Sequence, residues 1–234
     1  MRTVPAPIPG IPYPAQHLPA LNQISPAVIE AVARDGMPFD SGKFDLGKVS
    51  PELDRALFFF YWVTDSNEVT DHLNLALWDL RCLPENHVLL DGAPHKRYEL
   101  LIRLYFHEFY RLREIFNAHV KQAARLGWIE KADIKLARDA FHGTFEQAID
   151  LRNNLVHGRL TWTGKEHFDL TMVAAAWETG KRLVDRETGQ AKTFREVLLP
   201  VCERMSSLLE IEGVRASQTL GTFIDEFVLL ASEV

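Results

Sequence analysis

Apolar residues recur along the middle of the chain at the spacing of an α-helix. The clearest stretch runs from about residue 96 to 126, where six apolar or aromatic residues follow one another at intervals of 4, 3, 4, 3 and 4. This spacing aligns side chains on one face and is typical of a helix that packs lengthwise against another helix. The six residues are Tyr98, Ile102, Tyr105, Phe109, Leu112 and Phe116.

Three further helices are predicted around this one. Ser50, Pro51 and Glu52 supply a cap, a proline at the first helical position and a first-turn acid, so a helix begins there and runs to about residue 63. A second is predicted from about 66 to 80 and is followed by a loop over 83–95. The motif helix discussed below runs from about 129 to 158, where Gly158 suits a left-handed C-terminal position. These four helices predict a mainly all-α, antiparallel helical bundle within a domain of residues 50–234.

The pattern changes after residue 158. Residues 160–163 and 167–173 have the alternation of a small β-hairpin, and Thr188-Gly189 marks another turn, so a hairpin insertion is predicted within about 159–192. Thr193 and Glu196 form a capping box that opens the C-terminal helices of about 194–232. We expect one helix to about residue 210, kinked near Pro200, and another over about 219–231.

The first 49 residues are predicted to form a proline-rich N-terminal arm and a short helix over about 26–34. Seven of the twelve prolines of the chain fall within residues 1–26, and because proline fixes φ and lacks an amide donor, regular helix is not expected there. Apolar residues are interleaved with the prolines, namely Ile8, Ile11, Tyr13, Leu18 and Leu21. They indicate an extended arm that lies on a protein surface, either its own or that of a partner.

Composition narrows the class of protein. The chain has 234 residues, a formal net charge of -6 and two cysteines. We therefore expect one large domain, no disulfide framework, and a cytoplasmic protein without membrane association. The net charge argues against binding nucleic acid by bulk electrostatics. Residues 95–125 nevertheless hold seven Lys or Arg against three acids, which predicts a local surface for an anionic ligand.

Arg152 occupies an unexpected position on the fourth helix. At 100° per residue, Ile134, Ala137, Phe141, Phe145, Ala148, Leu151, Leu155 and Val156 form one apolar arc. Arg152 falls in the middle of that arc, whereas His142, Glu146, Asn153, Asn154 and His157 fall on the opposite side. A guanidinium among apolar side chains needs a carboxylate, a carbonyl or a bound anion, or must reach the helix end.

His157 lies in the final turn of this helix, where unpaired carbonyl groups favour the protonated imidazole. On an ideal helix Arg152 and His157 are separated by about 140° and about 7.5 Å along the axis, so they do not share a face. They can reach one ligand if the helix end is distorted, or if two copies meet across a twofold axis.

The motif Arg152-Asn153, three intervening residues, then His157-Gly158 near the end of a long bundle helix resembles the Arg-x4-6-His motif of the HEPN superfamily. The resemblance covers about residues 51–160. It implies metal-independent endoribonuclease activity at a site that two protomers form together, and a role in toxin–antitoxin or antiviral defence systems. Arg152, His157 and Asn153 are then the expected catalytic residues.

The expected substrate is single-stranded RNA, cleaved through its own 2′-hydroxyl without metal or other cofactor. Asn154, His142, Glu146 and Arg159 are weaker candidates for substrate contacts. A homodimer is expected, with an antitoxin or another regulatory protein as a further partner.

Several alternatives stay open. Arg152 can pair with Asp150 or Glu146 as an ordinary helix-end cation, or the domain can be a catalytically silent module that binds nucleotide, RNA or protein. His107-Glu108 lacks the second histidine of a zinc motif, and His119 is expected to be a packing residue. The aromatic run of residues 58–62 is expected in the core or at a dimer interface.

Overall fold

The computed structural model describes residues 6–22, 50–156, 165–185 and 187–232. These ranges contain a 3-10 turn at Ala15–His17 and six α-helices. The helices are α1 (Leu18–Leu21), α2 (Pro51–Asn86), α3 (Pro94–Arg125), α4 (Asp133–Val156), α5 (Lys165–Thr179) and α6 (Phe194–Ser232). A hairpin of β1 (Leu183–Val184) and β2 (Ala191–Lys192) precedes α6. The predicted mainly all-α fold is confirmed, as is the presence of a small hairpin.

Side-chain pairs between helices confirm the antiparallel bundle. Trp62 near the start of α2 contacts Phe116 near the end of α3, with ring centroids 6.0 Å apart. Along α4, Phe141 pairs with Phe116 and Phe145 pairs with Phe109, so the order along α3 is reversed. These residues are buried and form a continuous aromatic core. Burial of such large rings supplies most of the stabilisation of the bundle.

The single helix α2 corrects the prediction of two helices over 50–63 and 66–80. Its start is as expected, because the Ser50 hydroxyl accepts a hydrogen bond from the Leu53 amide at 3.2 Å. Ser66 and Asn67, where the second helix is predicted to begin, lie inside the helix. Ser66 is buried, and Asn67 uses its side chain to hold the arm. The predicted loop over 83–95 is shorter than expected, because the last turn of α2 includes Pro84.

The C-terminal third needs two corrections. Within the hairpin predicted over 160–173, residues 165–173 are instead helical in α5, whereas residues 157–164 lie outside the described part of the chain. The observed hairpin surrounds the predicted Thr188-Gly189 turn, where Gly189 has a φ of 69°. The side chain of Asp185 stabilises that turn by accepting hydrogen bonds from the amides of Glu187 and Thr188.

The helix α6 replaces the two expected helices over 194–210 and 219–231. The capping box is confirmed, since the Thr193 amide donates to Glu196 at 2.7 Å and the Glu196 amide donates to the Thr193 hydroxyl at 3.2 Å. The helix continues through Pro200 and through residues 211–218. Packing against α2 outweighs the loss of one backbone hydrogen bond at the proline.

The described part of the arm packs on its own bundle. Ile8 is 0% exposed and Ile11 is 4% exposed, and both belong to the hydrophobic core. The expectation that regular helix is absent from the arm is wrong at α1, because Pro19 occupies the first turn, where no amide donor is needed. The short helix predicted over 26–34 lies outside the described residues.

Candidate functional site

The helix α4 is held in one orientation by aromatic packing. Phe141 and Phe145 are buried against α3, with centroid distances of 4.5 Å to Phe116 and 5.6 Å to Phe109. Ala148 lies on the same buried side. This confirms the predicted core-facing side of the helix for its described side chains, and the polar residues are therefore on the outward side.

The motif straddles the end of α4. Asn153 begins the last turn of the helix and Arg152 directly precedes that turn, and the helix ends at Val156, directly before His157. The side chain of Arg152 and the whole of His157, Gly158 and Arg159 lie outside the described part of the structure. The distance between the two catalytic candidates is therefore untested, and their joint action stays a prediction.

The described candidates occupy the outward side of α4. His142 and Asn153 are half-buried, whereas Glu146 and Asn154 are exposed. At 100° and 1.5 Å per residue, His142, Glu146 and Asn153 lie within about 40° of one another, over about 16 Å of helix. These three residues form what we call the polar stripe, and it leads toward the helix end that carries the motif.

A groove of about 520 Å³ lies at the other end of this stripe, between α3, α4 and the turn that joins them. His142 belongs to both the stripe and the groove. Five cations line what we call the basic groove: Arg113, Lys121, Lys131, Lys135 and Arg138. The only acids among its lining residues in the described structure are Glu114 and Asp139. The groove is thus positive on a chain whose net charge is -6.

The groove cations have no carboxylate partner among the described residues. In the parts of the chain that the structure describes, none of the five takes part in an ion pair. The Nε atom of Arg138 is buried and has no hydrogen-bond partner there. Arg113 is held by Tyr110, whose hydroxyl accepts a hydrogen bond at 3.1 Å and whose ring centroid is 5.3 Å from the guanidinium carbon. These donors are therefore available to a ligand.

The cations of the surface predicted over 95–125 for an anionic ligand are divided in the structure. Arg113 and Lys121 line the groove, but Arg111 pairs with Glu108 and Arg97 donates to the Asp91 carbonyl oxygen. The other three groove cations follow residue 125 in the sequence. Counting charge in a linear window missed them, because α3 and α4 converge only in the folded chain.

A second polar cluster joins α2 to α3, and its acid looks like an ordinary surface charge in the sequence. Glu108 is only 7% exposed. Its Oε2 atom accepts hydrogen bonds from His72 at 2.9 Å and from Arg111 at 2.7 Å, and Arg111 also contacts Glu68. The signal was the position of Glu108 beside Tyr105 and Phe109 on the apolar seam, where a carboxylate needs partners.

Electrostatics confirm that this cluster is paired. Burial alone would raise the pKa of Glu108, but hydrogen bonds from His72 and Arg111 outweigh burial and hold that pKa below its ordinary value. The carboxylate is therefore charged near neutrality and links the two helices. Because His72 lies on α2 and Glu108 lies on α3, the hydrogen bond between them holds the two helices against each other.

The remaining histidine candidates have separate outcomes. His107 is exposed on α3. His119 packs as expected, stacked on Trp62 at 5.1 Å, and burial lowers its pKa.

In the described ranges, no three His, Cys, Asp or Glu side chains are grouped in a way that could hold a metal ion. None of the helices described there has the length and apolar character needed to cross a membrane.

The aromatic run near the start of α2 is divided between core and surface. Phe59 and Trp62 are fully buried, which confirms the predicted core role. Phe60 and Tyr61 are exposed.

Comparisons with protein-family models, curated proteins and solved structures gave no match for this chain. The similarity to the HEPN superfamily therefore rests on the motif and on the order of the helices, and what it implies about activity is a proposal.

Proposed function

We propose that this protein is a HEPN-like, metal-independent endoribonuclease whose site lies at the C-terminal end of α4. The observation that carries the proposal is the position of the motif: Arg152 and Asn153 lie within the last five residues of the helix, which ends at Val156, directly before His157. The polar stripe that leads to this end provides an outward surface for a substrate.

The residues suit cleavage of RNA through its own 2′-hydroxyl. That hydroxyl attacks the adjacent phosphorus, the bond to the 5′ oxygen breaks, and the products are a 2′,3′-cyclic phosphate and a free 5′-hydroxyl. Arg152 neutralises the charge that grows on the phosphate oxygens, and Asn153 orients the site. Imidazole groups of His157 remove one proton and supply the other. DNA lacks the attacking hydroxyl and is not cleaved.

A composite site needs two protomers that meet around the end of α4. An apolar groove of about 690 Å³ lies beside the other end of this helix and is lined by Trp128, Leu136 and Leu230, among others. Leu136 is about 24 Å from Arg152 along the helix axis. A dimer built on that groove alone would keep the two motifs apart, so we place the dimer contact near the motif.

The test uses purified full-length protein and several single-stranded RNAs in EDTA. We expect wild type to cleave and to leave a 2′,3′-cyclic phosphate. Arg152→Ala and His157→Ala should each lower the rate by about 100-fold or more. Arg182→Ala, which removes an exposed arginine beside the hairpin, is the matched control and should leave the rate unchanged.

Two results would overturn the proposal. If wild type cleaves none of the RNAs, including after removal of any copurifying partner, the domain is the catalytically silent module instead. If it cleaves and neither substitution changes the rate, the site lies elsewhere. Dilution tests the dimer. At concentrations below the one at which a homodimer dissociates, the activity per protomer should decrease.

The same proposal includes a biological role as a toxin or defence effector. Expression of wild type in a bacterial host should then arrest growth, and expression of His157→Ala to the same level should not. Equal growth of the two strains would argue against a toxin, whether or not RNA is cleaved in vitro.

A further inference from the structure

We propose that the basic groove binds the phosphate backbone of a single-stranded RNA several nucleotides away from the position of cleavage. The groove thus serves as a second binding site on the same strand. This inference takes its ligand from the proposed function, but it concerns binding alone, and it can be tested with RNA that the protein cannot cleave.

The charge of the groove points to an anionic polymer. Five cations and two acids line one space of about 520 Å³. Surface charges are screened beyond about 8–10 Å at physiological ionic strength. A ligand within the groove therefore experiences these cations much more strongly than the distant acids that make the whole chain negative.

The unpaired donors favour phosphate. A guanidinium carries five N–H groups in a planar fork that matches two phosphate oxygens. In the described structure, Arg138 has a buried Nε without a partner, and such a donor is costly unless a ligand or water accepts from it. Tyr110 holds Arg113 in place, so part of the ordering cost of binding is already met before the ligand arrives.

The geometry joins the groove to the proposed cleavage site. Arg138, His142 and Glu146 follow at intervals of four residues along the outward side of α4, and Asn153 lies two turns further on. Along the helix axis, Asn153 is about 16 Å from His142 and about 22 Å from Arg138. One flexible strand that follows the polar stripe can therefore occupy the groove and the motif at the same time.

The lining also indicates what the groove does not recognise. No Phe, Tyr or Trp side chain belongs to the lining as the structure describes it, where His142 is the one aromatic ring. The broad stacking platform that many single-strand binders offer to bases is therefore absent from this part of the described surface. Contacts to phosphate position a strand without reading its sequence. We therefore expect binding in the groove to tolerate any base sequence.

The test measures binding of a fluorescent 2′-O-methyl RNA of about 15 nucleotides to full-length protein by anisotropy, at several salt concentrations. The blocked hydroxyl prevents cleavage. Lys135→Ala combined with Arg138→Ala should weaken binding about tenfold and reduce the slope of log K against log salt by about 1.4, or about 0.7 for each lost phosphate contact. Lys181→Ala combined with Arg182→Ala removes an equal charge from exposed positions outside the groove and should change neither value.

Equal effects of the two double variants would overturn the inference, since they would show dependence on net charge alone. Equally strong competition by polyglutamate would also overturn it and would point to an acidic protein as ligand. A circular dichroism spectrum and a melting temperature equal to wild type are required of both double variants. If the Ala pair fails to fold, the conservative pair Lys135→Gln and Arg138→Gln replaces it, with the same expected result.

Cleavage assays separate this inference from the proposed function. If the groove binds RNA in this way, the groove variant should cleave a dinucleotide as fast as wild type but should have a lower kcat/KM on the long RNA. If RNA binds in the groove but no RNA is cleaved, the proposed endoribonuclease function is wrong and the inference about the groove stands. If the groove variant cleaves the long RNA at the wild-type rate, only the inference about the groove is wrong.

Discussion

Two regions of the molecule differ in whether their buried polar groups have hydrogen-bond partners. Along the arm, Asn74 bonds to both the amide and the carbonyl of Ile8, at 2.9 and 3.0 Å, and Asn67 does the same for Ile11, at 2.7 and 3.0 Å. In the basic groove, the buried Nε of Arg138 has no partner among the described residues. The backbone groups of Ile8 and Ile11 are thus paired by the protein itself, whereas this donor of the groove is not.

This difference in hydrogen bonding distinguishes a contact that stabilises the fold from a surface that can bind a ligand. An extended proline-rich segment has no internal hydrogen bonds, so its backbone must find partners when it is buried. Two asparagines seven residues apart on α2 provide them. The cations of the basic groove form no ion pair with the described carboxylates, so they stabilise the fold little. The arm should therefore control stability, whereas the outward side of α4 should control activity.

The largest expected effect is on catalysis. His157→Ala should reduce the cleavage rate by about 100-fold or more, because proton transfer by a positioned imidazole contributes at least that much. Its melting temperature should stay within about 2 °C of wild type, since we expect His157 to serve the reaction and not the fold. Rates measured at saturating RNA, together with calorimetry, check both parts. A large loss of stability would mean that the motif serves the fold and would erase the contrast between the two regions.

The next effect is on stability, from the arm. Asn67→Ala combined with Asn74→Ala leaves four backbone groups without their partners and should lower the free energy of unfolding by about 2–4 kcal/mol. The cleavage rate per folded molecule should be unchanged. Urea unfolding measures the loss, with Asn86→Ala as a control at an exposed asparagine of α2. Stability equal to that of the control would show that the arm is not held by these side chains.

A smaller loss is expected where the arm meets α6. A Cβ atom at Gly213 would lie 2.3 Å from Cδ1 of Ile8 and 2.8 Å from the hydroxyl of Tyr105. Gly213→Ala should therefore cost about 1–3 kcal/mol through overpacking, although alanine favours a helix. Gly143→Ala is the matched control, because a Cβ atom there would meet no other described atom within 4 Å. That change should stabilise by up to about 1 kcal/mol.

Ile8→Val in the Gly213→Ala background should restore part of the loss by shortening the clashing side chain. If Gly213→Ala is as stable as wild type and Ile8→Val brings no recovery, then Ile8 of the arm does not pack against Gly213 of α6.

The smallest expected effect is a change in the response to acid. The pKa of Glu108 is lower in the folded protein than in the unfolded chain, so its contribution to stability is fully present above the unfolded pKa of about 4.3. That contribution is lost as the pH falls through the folded pKa. Glu108→Gln should therefore lower stability at pH 7 and flatten the fall in stability below about pH 4.3. Urea midpoints from pH 7 to pH 3 test this, and parallel curves for both proteins would contradict it.

The sequence predicted the elements whose signals are local. The seam of α3, the Ser50 cap and the box of Thr193 with Glu196 are all confirmed. Each depends on residues within a few positions of one another, so the chain does not have to be folded for the pattern to be read.

The failures came from contacts between distant parts of the chain. Asn67 interrupts the pattern within α2 because it bonds to the backbone of Ile11, and Gly213 suits α6 because Ile8 packs against it. Asn67 lies near the predicted start of a second helix, and Gly213 lies between two predicted helices. The contacts with the arm explain why one helix continues through each position. In the same way, the basic groove combines Arg113 with Lys135 and Arg138, residues that no window of sequence joins. Long-range packing decided these cases against local propensity.

Whether RNA lies along α4 can be tested by a lysine-acetylation footprint of the full-length protein with and without saturating 2′-O-methyl RNA, read by mass spectrometry. Lys121, Lys131 and Lys135 line the groove, whereas Lys181 is exposed outside it. We expect RNA to slow modification of the three groove lysines severalfold and to leave Lys181 unchanged. Equal protection of all four lysines, or protection of Lys181 alone, would contradict the placement of RNA along α4.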